Sequence, residues 1–78
     1  MSTARRAVVV GGAGFVGHAV CTRLYDAGFD VLALWRRPGA REVPWRTRVV
    51  DLVDTPVEAL AELFRAEHPV AVVNAAGA

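Results

Sequence analysis

Four short runs of apolar residues are spaced along the chain, and within each run apolar residues follow one another without alternation. The runs cover residues 7–10, 30–35 and 70–73, with a shorter and weaker one at 48–50. Continuous apolar runs are typical of strands in parallel sheets, where both faces of the sheet are covered. The pattern therefore predicts four parallel strands that are covered on both faces.

The segment between the first two runs has helical spacing. Within residues 15–27, Val16, Val20 and Leu24 recur at intervals of four residues. This spacing predicts a helix whose buried stripe consists of those three side chains. Gly28 follows directly and suits the left-handed position that ends a helix.

A second helix has a clearer start signal. Thr55 can act as the N-cap, Pro56 fits the first helical position, and Glu58 completes a capping box. Pro69 ends the segment, because proline prevents further helix. The predicted apolar face of this helix consists of Val57, Leu60, Ala61 and Phe64.

The linking segments complete the order of elements. Residues 38–44 combine proline, glycine and charged residues, which predicts a loop. The resulting order is strand, helix, strand, loop, strand, helix, strand. Strands that alternate with helices predict an α/β fold with a parallel sheet and right-handed crossovers.

Composition excludes several classes of protein. The chain has 78 residues, enough for one small domain, and its 54% apolar and 22% charged residues exclude a disordered tail. Nine basic residues, all of them arginine, face eight acidic ones, so the formal net charge of +1 gives no excess for binding nucleic acid. Cys21 is the only cysteine, which excludes a disulfide scaffold.

The longest uncharged run, residues 7–22, is too short to span a membrane and is interrupted by four glycines. The same glycines disagree with the apolar core of a signal peptide, so the sequence predicts a cytoplasmic protein without a membrane segment. A chain of this size forms a small core, and no disulfide or metal cluster supports it. Its composition is typical of the interior of a larger protein.

The segment VVVGGAGFVG at residues 8–17 carries the strongest functional signal. Gly12, Gly14 and Gly17 form a G-x-G-x-x-G pattern, and Gly11, Gly14 and Gly17 are also three residues apart. Such glycines let a strand turn sharply into a helix, let a diphosphate approach the backbone, and let the helix pack closely. The free N–H groups of the first helical turn then attract the phosphates. The alternative is a tight strand–helix turn that binds no ligand; the absence of lysine excludes a Walker A loop.

With the valine strand before it, GGAGFVG resembles the extended short-chain dehydrogenase/reductases, a group of nucleotide-sugar epimerases, dehydratases and reductases. The resemblance continues through AGFDV at residues 27–31, VDL at 50–52 and VVNAAG at 72–77. It implies a doubly wound Rossmann half-domain with strand order 3-2-1-4 and two helices. Residues 1–78 would be the N-terminal part of one NAD(P)-binding Rossmann domain, and that domain would be incomplete.

The resemblance also implies which residues contact a dinucleotide cofactor. The glycine turn would hold the diphosphate, Asp51 would contact the adenine amino group, and Leu52 would pack nearby. The end of the fourth strand would lie beside the nicotinamide ribose. Apart from the residues that follow the second strand, the implied cofactor-binding residues are Gly11, Gly14, Phe15, Val16, Gly17, Asp51, Leu52, Ala75, Ala76 and Gly77.

The end of the second strand bears on the choice of nucleotide. NAD-binding members have an acidic residue there that accepts hydrogen bonds from the adenine ribose. Here Trp35 stands at that position, followed by Arg36 and Arg37, and Leu34 before it is not acidic either. Two guanidinium groups suit a 2′-phosphate, which favours NADP(H) over NAD(H). The alternative is that both arginines only solvate the start of a loop.

The catalytic groups of the resembled family are missing from these 78 residues. Its reductases use a Tyr-x-x-x-Lys pair, whereas this chain has no lysine and its only tyrosine, Tyr25, lies late in the first helix. The resemblance therefore predicts a cofactor-binding portion of an oxidoreductase or epimerase/dehydratase that is inactive by itself. The chain would be a truncated piece or one subunit of a split enzyme; the alternative is a non-catalytic nucleotide-binding, regulatory or assembly subunit.

Two further predictions concern the surface and the remaining polar residues. The exposed edge of the fourth strand, residues 70–74, is expected to meet a second polypeptide or another copy of the chain. His18, His68 and Cys21 show no spacing typical of metal ligands. Trp45 could touch adenine or a partner, but packing within its loop is the simpler interpretation.

Overall fold

The structure is a computed structural model that describes residues 5–39 and 41–76. Its four strands form one parallel sheet in the order β3-β2-β1-β4. The predicted Rossmann-like half-domain with two helices is thereby confirmed. The elements in chain order are β1 (Arg6–Val10), α1 (Phe15–Asp26), β2 (Asp30–Trp35), β3 (Arg46–Val49), α2 (Val57–Glu67) and β4 (Ala71–Asn74).

The two central strands carry the core. Val8 and Val9 of β1 are both fully buried but point to opposite faces, since successive side chains of a strand alternate. Val9 packs in a cluster with Cys21 of α1, and Val8 packs in a second cluster with Leu63 of α2. The helices therefore cover opposite faces of the sheet, as the unbroken apolar run of β1 predicts.

The edge strands depart from the prediction that both faces of every strand are covered. All four residues of β3 are exposed, and β4 alternates between half-buried and exposed residues. Val72 of β4 is 51% exposed although its neighbour Val8 in β1 is fully buried. The prediction is wrong here because the described helices pack over β1 and β2 and leave the two edge strands open.

The buried side of α1 also differs from the predicted stripe. Gly17 and Cys21 are buried, Val20 and Leu24 are half-buried beside them, and Val16 is 50% exposed. The prediction of a buried Val16 is wrong because the glycine at position 17 lets the helix approach the strand on that side. Val16 is consequently turned toward the carboxyl ends of the strands.

The end of α1 has the predicted glycine cap. Gly28 has φ +93°, its N–H donates to the Tyr25 carbonyl at 3.0 Å, and the Phe29 N–H donates to the Leu24 carbonyl at 3.1 Å. This pair of hydrogen bonds is a Schellman motif, which satisfies carbonyls that the helix leaves free. Phe29 and Leu24 are both half-buried and pack against the core cluster that contains Cys21.

The start of α2 differs from the predicted capping box. Pro56 is the N-cap and no side chain caps the helix, while the Thr55 N–H donates to the Asp51 carbonyl at 2.9 Å in the preceding turn. Because the helix starts one residue later than predicted, Glu58 is the second helical residue, one position short of the capping-box position. The predicted roles of Thr55 and Glu58 in a capping box are therefore wrong.

The apolar face of α2 is centred on a residue that the prediction omitted. Leu63 is buried, and Leu60 and Phe64 are half-buried next to it. Val57 is 74% exposed and Ala61 is exposed, so both were wrongly placed on the buried face. The spacing 60, 63 and 64 is itself helical, and this stripe meets the sheet because Leu63 packs against the central strands.

Four charged residues join the amino ends of the strands to the end of α2. Arg46 donates to Asp30 at 3.0 Å and makes two parallel hydrogen bonds with Glu67, at 2.9 and 3.1 Å. Arg6 lies 3.5 Å from Asp30. The hydrogen bonds from Arg46 lower the pKa of Glu67. We call Arg6, Asp30, Arg46 and Glu67 the amino-end ion cluster.

Trp45, which follows the loop, packs against α1. Its ring centroid lies 5.3 Å from that of His18 and 5.8 Å from that of Tyr25, and the residue is 8% exposed. Packing of the loop is thus the confirmed interpretation. Within residues 5–39 and 41–76, neither helix is long and apolar enough to cross a membrane.

Candidate functional site

The glycine turn joins β1 to α1 through a closely packed backbone. Gly11 has φ +80°, a conformation that glycine adopts without strain. The N–H groups of Gly11 and Gly12 both donate to the Leu34 carbonyl, at 3.0 and 3.3 Å. A Cβ on Gly11 would lie 2.7 Å from the Ala76 nitrogen, so the turn also packs directly against the chain after β4.

The first turn of α1 rests against this glycine turn. A Cβ on Gly17 would lie 2.0 Å from the Gly11 carbonyl oxygen and 2.8 Å from the Gly12 Cα. Only a glycine fits at such a distance from a backbone oxygen. Gly17 therefore positions the helix and is covered by it, rather than facing the outside.

Gly14 differs from Gly11 and Gly17, because the described fold leaves space around it. Its φ of −74° and ψ of 171° are open to any residue, and a Cβ placed there would meet only the Gly11 oxygen, at 3.6 Å. The described fold thus has room for a larger side chain at this position. The space that such a side chain would fill is the open cavity in front of the helix.

Free backbone donors lie at the same place. The first hydrogen bond of α1 runs from the His18 N–H to the Gly14 carbonyl at 2.8 Å. The N–H groups of Phe15, Val16 and Gly17 precede it and have no carbonyl acceptor within the helix. Together with the positive end of the helix dipole, they form a site that favours an anion.

Two adjoining cavities lie at the carboxyl ends of the strands and share Gly11, Arg36 and Ala76. Their volumes are about 190 and 400 Å³, so together they have the size of a small-molecule site. We call the pair the carboxyl-end cleft. The first cavity adds Val10, Leu34, Val50, Asp51, Leu52 and Val53. The second adds Ala13, Gly14, Phe15, Val16 and Ala75.

Two charged side chains line the cleft, and they face each other. The Arg36 Nε lies 3.9 Å from Asp51 Oδ2, with side chains 69% and 33% exposed. The other oxygen of the Asp51 carboxylate accepts the Val53 N–H at 2.9 Å. The acid is therefore held in the wall of the first cavity, whereas the arginine extends into solvent.

Most of the residues implied by the resemblance meet at this cleft. Of those in the described part of the chain, all line it except Gly17, which lies behind the turn, and Arg37, which is exposed outside it. Gly77 lies outside the described residues. Segments that are far apart in sequence thus come together at one edge of the sheet.

Trp35 does not face the cleft. It is 6% exposed and packs in the core cluster that contains Val9 and Cys21. Its ring also lies close to Gly39, since a Cβ on Gly39 would be 2.4 Å from Trp35 Cζ3. Because strand side chains alternate, Leu34 and Arg36 are the residues of this segment that line the cleft. An acid at position 35 would be buried on the α1 side of the sheet.

Several residues that line the cleft were not predicted as site residues. They are all apolar, and they lie at the strand ends, in the glycine turn and in the segment that follows β3. Val10 and Leu34 lie at the ends of neighbouring parallel strands, which is where ligands bind in such sheets, so the strand ends themselves were the missed signal. The missed residues are Val10, Ala13, Leu34, Val50 and Val53.

Comparison with known proteins agrees with this geometry. Residues 7–78 match the family described as the NAD dependent epimerase/dehydratase family. The chain belongs to this family. The resemblance of the glycine turn and of the later motifs to extended short-chain dehydrogenase/reductases is thereby confirmed.

Two other proteins are informative, and this chain is compared with each in turn. It is 39% identical over 72 residues to dTDP-6-deoxy-L-talose 4-dehydrogenase (NAD(P)(+)) of Kitasatospora kifunensis, covering 92% of this chain and 23% of that protein. It also superimposes on a crystal structure of a candidate epimerase from Burkholderia cenocepacia J2315, with a TM-score of 0.75 and 34% identity. That match covers 95% of this chain and 25% of the other. The chain thus spans about a quarter of the length of these relatives.

The family supports a nicotinamide dinucleotide as the cofactor, and the cleft fits one. Gly14 leaves space in front of the free N–H groups of α1, which suits a diphosphate. The apolar wall around Leu34 and Leu52 suits a planar base, and Arg36 supplies a positive charge at the same end. When bound, a nicotinamide dinucleotide supplies the carbon that accepts or donates a hydride.

Proposed function

We propose that this chain binds NADP(H) in the carboxyl-end cleft, as the N-terminal part of the NAD(P)-binding Rossmann domain of an oxidoreductase or epimerase/dehydratase. The observation that carries the proposal is Gly14. The described fold does not need a glycine there, since a Cβ would meet only one atom within 4 Å, at 3.6 Å. A ligand that approaches the backbone closely does need it.

The proposed diphosphate site is the first turn of α1. The N–H groups of Phe15, Val16 and Gly17 donate to the phosphate oxygens, and the helix dipole favours the negative charge. Gly11 supports the site indirectly, because its backbone conformation and its contact with Ala76 bring the turn and the end of β4 together. No cationic side chain is needed at this end of the cleft.

The proposed adenosine site is the first cavity. Leu52 packs against the base and Asp51 accepts a hydrogen bond from its amino group, as in the resembled family. Arg36 binds the 2′-phosphate, since it lines both cavities and carries the one positive side-chain charge among the described lining residues. Arg37 lies outside the cleft, so its contribution is a longer-range attraction.

The proposed nicotinamide end lies where β4 finishes. Ala75 donates its N–H to the Val10 carbonyl at 2.8 Å, which ties this segment to β1 beside the glycine turn. Ala75 and Ala76 line the second cavity, and their small side chains leave room for a ribose. Gly77 completes this stretch of sequence in the resembled family.

The proposed chemistry is hydride transfer between the cofactor and a carbonyl or alcohol of a nucleotide sugar or a small metabolite. Its support is the family and the printed name of the Kitasatospora relative, a dTDP-sugar dehydrogenase. The Tyr-x-x-x-Lys pair would come from outside these residues, since no lysine occurs among them. Tyr25 of α1 cannot take the place of the catalytic tyrosine, because it packs against Trp45 away from the cleft.

A covered β4 edge belongs to the same proposal. Val72 on this strand is 51% exposed and Val70, just before the strand, is 62% exposed. Exposed β-branched edges pair readily with other chains. Phe15, which is 93% exposed, lines an apolar groove on α1 together with Val16 and Val20. A second polypeptide or another copy of the chain would cover these surfaces. Residence in the cytoplasm stays a prediction.

The alternative is a nucleotide-binding, regulatory or assembly subunit without catalysis. Copurification separates the two. A partner polypeptide that contains Tyr-x-x-x-Lys, together with hydride transfer, supports the enzyme. Nucleotide binding by the chain alone, with no turnover in the presence of any copurifying polypeptide, supports the binding subunit.

The direct experiment compares two Gly→Ala variants. Gly14→Ala should lower the free energy of unfolding by less than about 1 kcal/mol. Because its methyl group enters the space proposed for the diphosphate, the Kd for NADPH and NADH should rise about tenfold or more. Gly28→Ala is the control: φ +93° makes alanine unfavourable there, but the residue is far from the cleft. It should lower the melting temperature and leave the Kd unchanged. Equal Kd values for Gly14→Ala and the wild type would refute the proposed diphosphate site.

A further inference from the structure

In the one ion pair of the described cleft, Arg36 with Asp51, the two side chains are held to different degrees. Asp51 is held on the protein side, because its Oδ1 accepts the Val53 N–H at 2.9 Å and its carbonyl accepts the Thr55 N–H at 2.9 Å. Arg36 has a single contact of this kind, the 3.9 Å approach of its Nε to Asp51 Oδ2, and its side chain is 69% exposed. The carboxylate is therefore held by a hydrogen bond, whereas the exposed guanidinium makes only the long contact with it and can reach a ligand in the cleft.

This arrangement matters for any anion that Arg36 binds. The carboxylate already partly neutralises the guanidinium, and it lies on the wall of the cavity into which the anion would come. A phosphate at Arg36 must compete with Asp51 for the same charge and is repelled by the carboxylate at short range. A ribose hydroxyl, which is neutral, meets neither penalty.

We propose that Asp51 is a specificity-determining residue, which restrains the preference for a 2′-phosphorylated dinucleotide by acting as the counter-ion of Arg36. The inference rests on the proposed function and deepens it. Arg36 favours NADP(H), Asp51 opposes that preference, and the balance of the two leaves NAD(H) as an accepted cofactor. Asp51 exerts this effect through Arg36, in addition to any contact with adenine.

The test is Asp51→Asn, which removes the charge and keeps an oxygen that can accept the Val53 N–H. Binding of NADPH and NADH is measured by calorimetry on the full chain, and the ratio of Kd(NADH) to Kd(NADPH) is compared with that of the wild type. The ratio should rise about two- to fivefold, the range expected for an exposed ion pair. A lost adenine contact weakens both cofactors equally and leaves the ratio unchanged.

Two controls sharpen the test. Asp54→Asn makes the same change of charge in the same turn, at an exposed residue that does not line the cleft, so the ratio should stay at the wild-type value. In an Arg36→Gln background, Asp51→Asn should no longer change the ratio. If Asp51→Asn proves unstable, Asp51→Ser provides the same loss of charge with a hydroxyl that can accept the turn hydrogen bond.

The outcomes separate this inference from the proposed function. If the wild type binds neither dinucleotide, the proposed function fails and the inference fails with it. If both dinucleotides bind and Asp51→Asn leaves the ratio unchanged or lowers it, only the inference is overturned. A rise that persists without Arg36 also overturns it, since the effect would then not act through the guanidinium.

Discussion

The two ends of the sheet are built on opposite principles. At the amino ends of the strands, side-chain charges pair with one another, and Arg46 alone makes three hydrogen bonds to Asp30 and Glu67. At the carboxyl ends, the close contacts are between backbone atoms, and the first N–H groups of α1 have no acceptor in their helix. The amino end pairs its charged side chains with one another, whereas the carboxyl end leaves the first N–H groups of α1 available.

This contrast separates stability from binding along the same strands. Changes in the amino-end ion cluster should alter the free energy of unfolding and leave ligand affinity alone. Changes in the carboxyl-end cleft should alter affinity, except where the backbone itself packs tightly. The following predictions test that division, from the largest effect to the smallest.

Gly17→Ala should have the largest effect, although it lies beside the cleft. Its Cβ would be 2.0 Å from the Gly11 oxygen and 2.8 Å from the Gly12 Cα, and neither backbone atom can yield cheaply. We expect the free energy of unfolding to fall by about 2–3 kcal/mol, a large part of what a core of this size supplies. Urea denaturation measures it; a fall below about 0.5 kcal/mol would show that α1 does not approach the turn this closely.

Arg36→Ala should weaken NADPH binding by about 10- to 100-fold, because a charge-assisted hydrogen bond to the 2′-phosphate is lost. NADH has no such phosphate, so its Kd should change little. Arg37→Ala is the matched control: it removes the same charge from a residue outside the cleft and should have a smaller effect. Equal losses for NADPH and NADH in titrations of Arg36→Ala would remove this residue from the 2′-phosphate site.

Glu67→Gln should lower the free energy of unfolding by about 1 kcal/mol, since it breaks the double hydrogen bond with Arg46. The Kd for either dinucleotide should stay the same. Glu62→Gln is the control, because Glu62 pairs with Arg65 on the exposed side of α2 and should contribute only a few tenths of a kcal/mol. A changed Kd in Glu67→Gln would mean that the two ends of the sheet are coupled.

The smallest predicted effect is a pH dependence. Arg46 lowers the pKa of Glu67 in the folded protein, so the unfolded chain takes up a proton at a higher pH than the folded one. The stabilisation is complete above the ordinary carboxyl range and is lost as the pH falls through the folded pKa. Denaturation of the wild type and Glu67→Gln from about pH 7 to about pH 3 should show the difference in stability shrinking toward the acid end. A constant difference over that range would contradict the lowered pKa.

The sequence predicted the central part of the fold because its signal there is local. Residues 30–35 became a strand with those same bounds, and Gly28 ended α1 as expected. Each of these features depends on neighbouring residues, namely an unbroken apolar run or a glycine after the last helical turn. The strand order followed from the resemblance of the glycine turn and later motifs to a known family.

The remainder depends on contacts between distant residues, which a sequence pattern does not contain. Val16 belonged to a regular apolar stripe, but the fit of Gly17 against the turn rotates it outward. β3 began two residues earlier than predicted, since its backbone pairs with β2 from Arg46, which lies opposite Leu32. In the cleft, the sequence identified Arg36 and Asp51 separately, and only the fold brings them together.

The exposed ring of Phe15 and the half-exposed side chain of Val72 affect how this chain behaves in solution at different temperatures. Near room temperature, the association of apolar surfaces is driven mainly by the entropy of water, and it weakens on cooling. Chilled solutions should therefore keep the molecules dispersed, and warming should promote clustering before the fold itself melts.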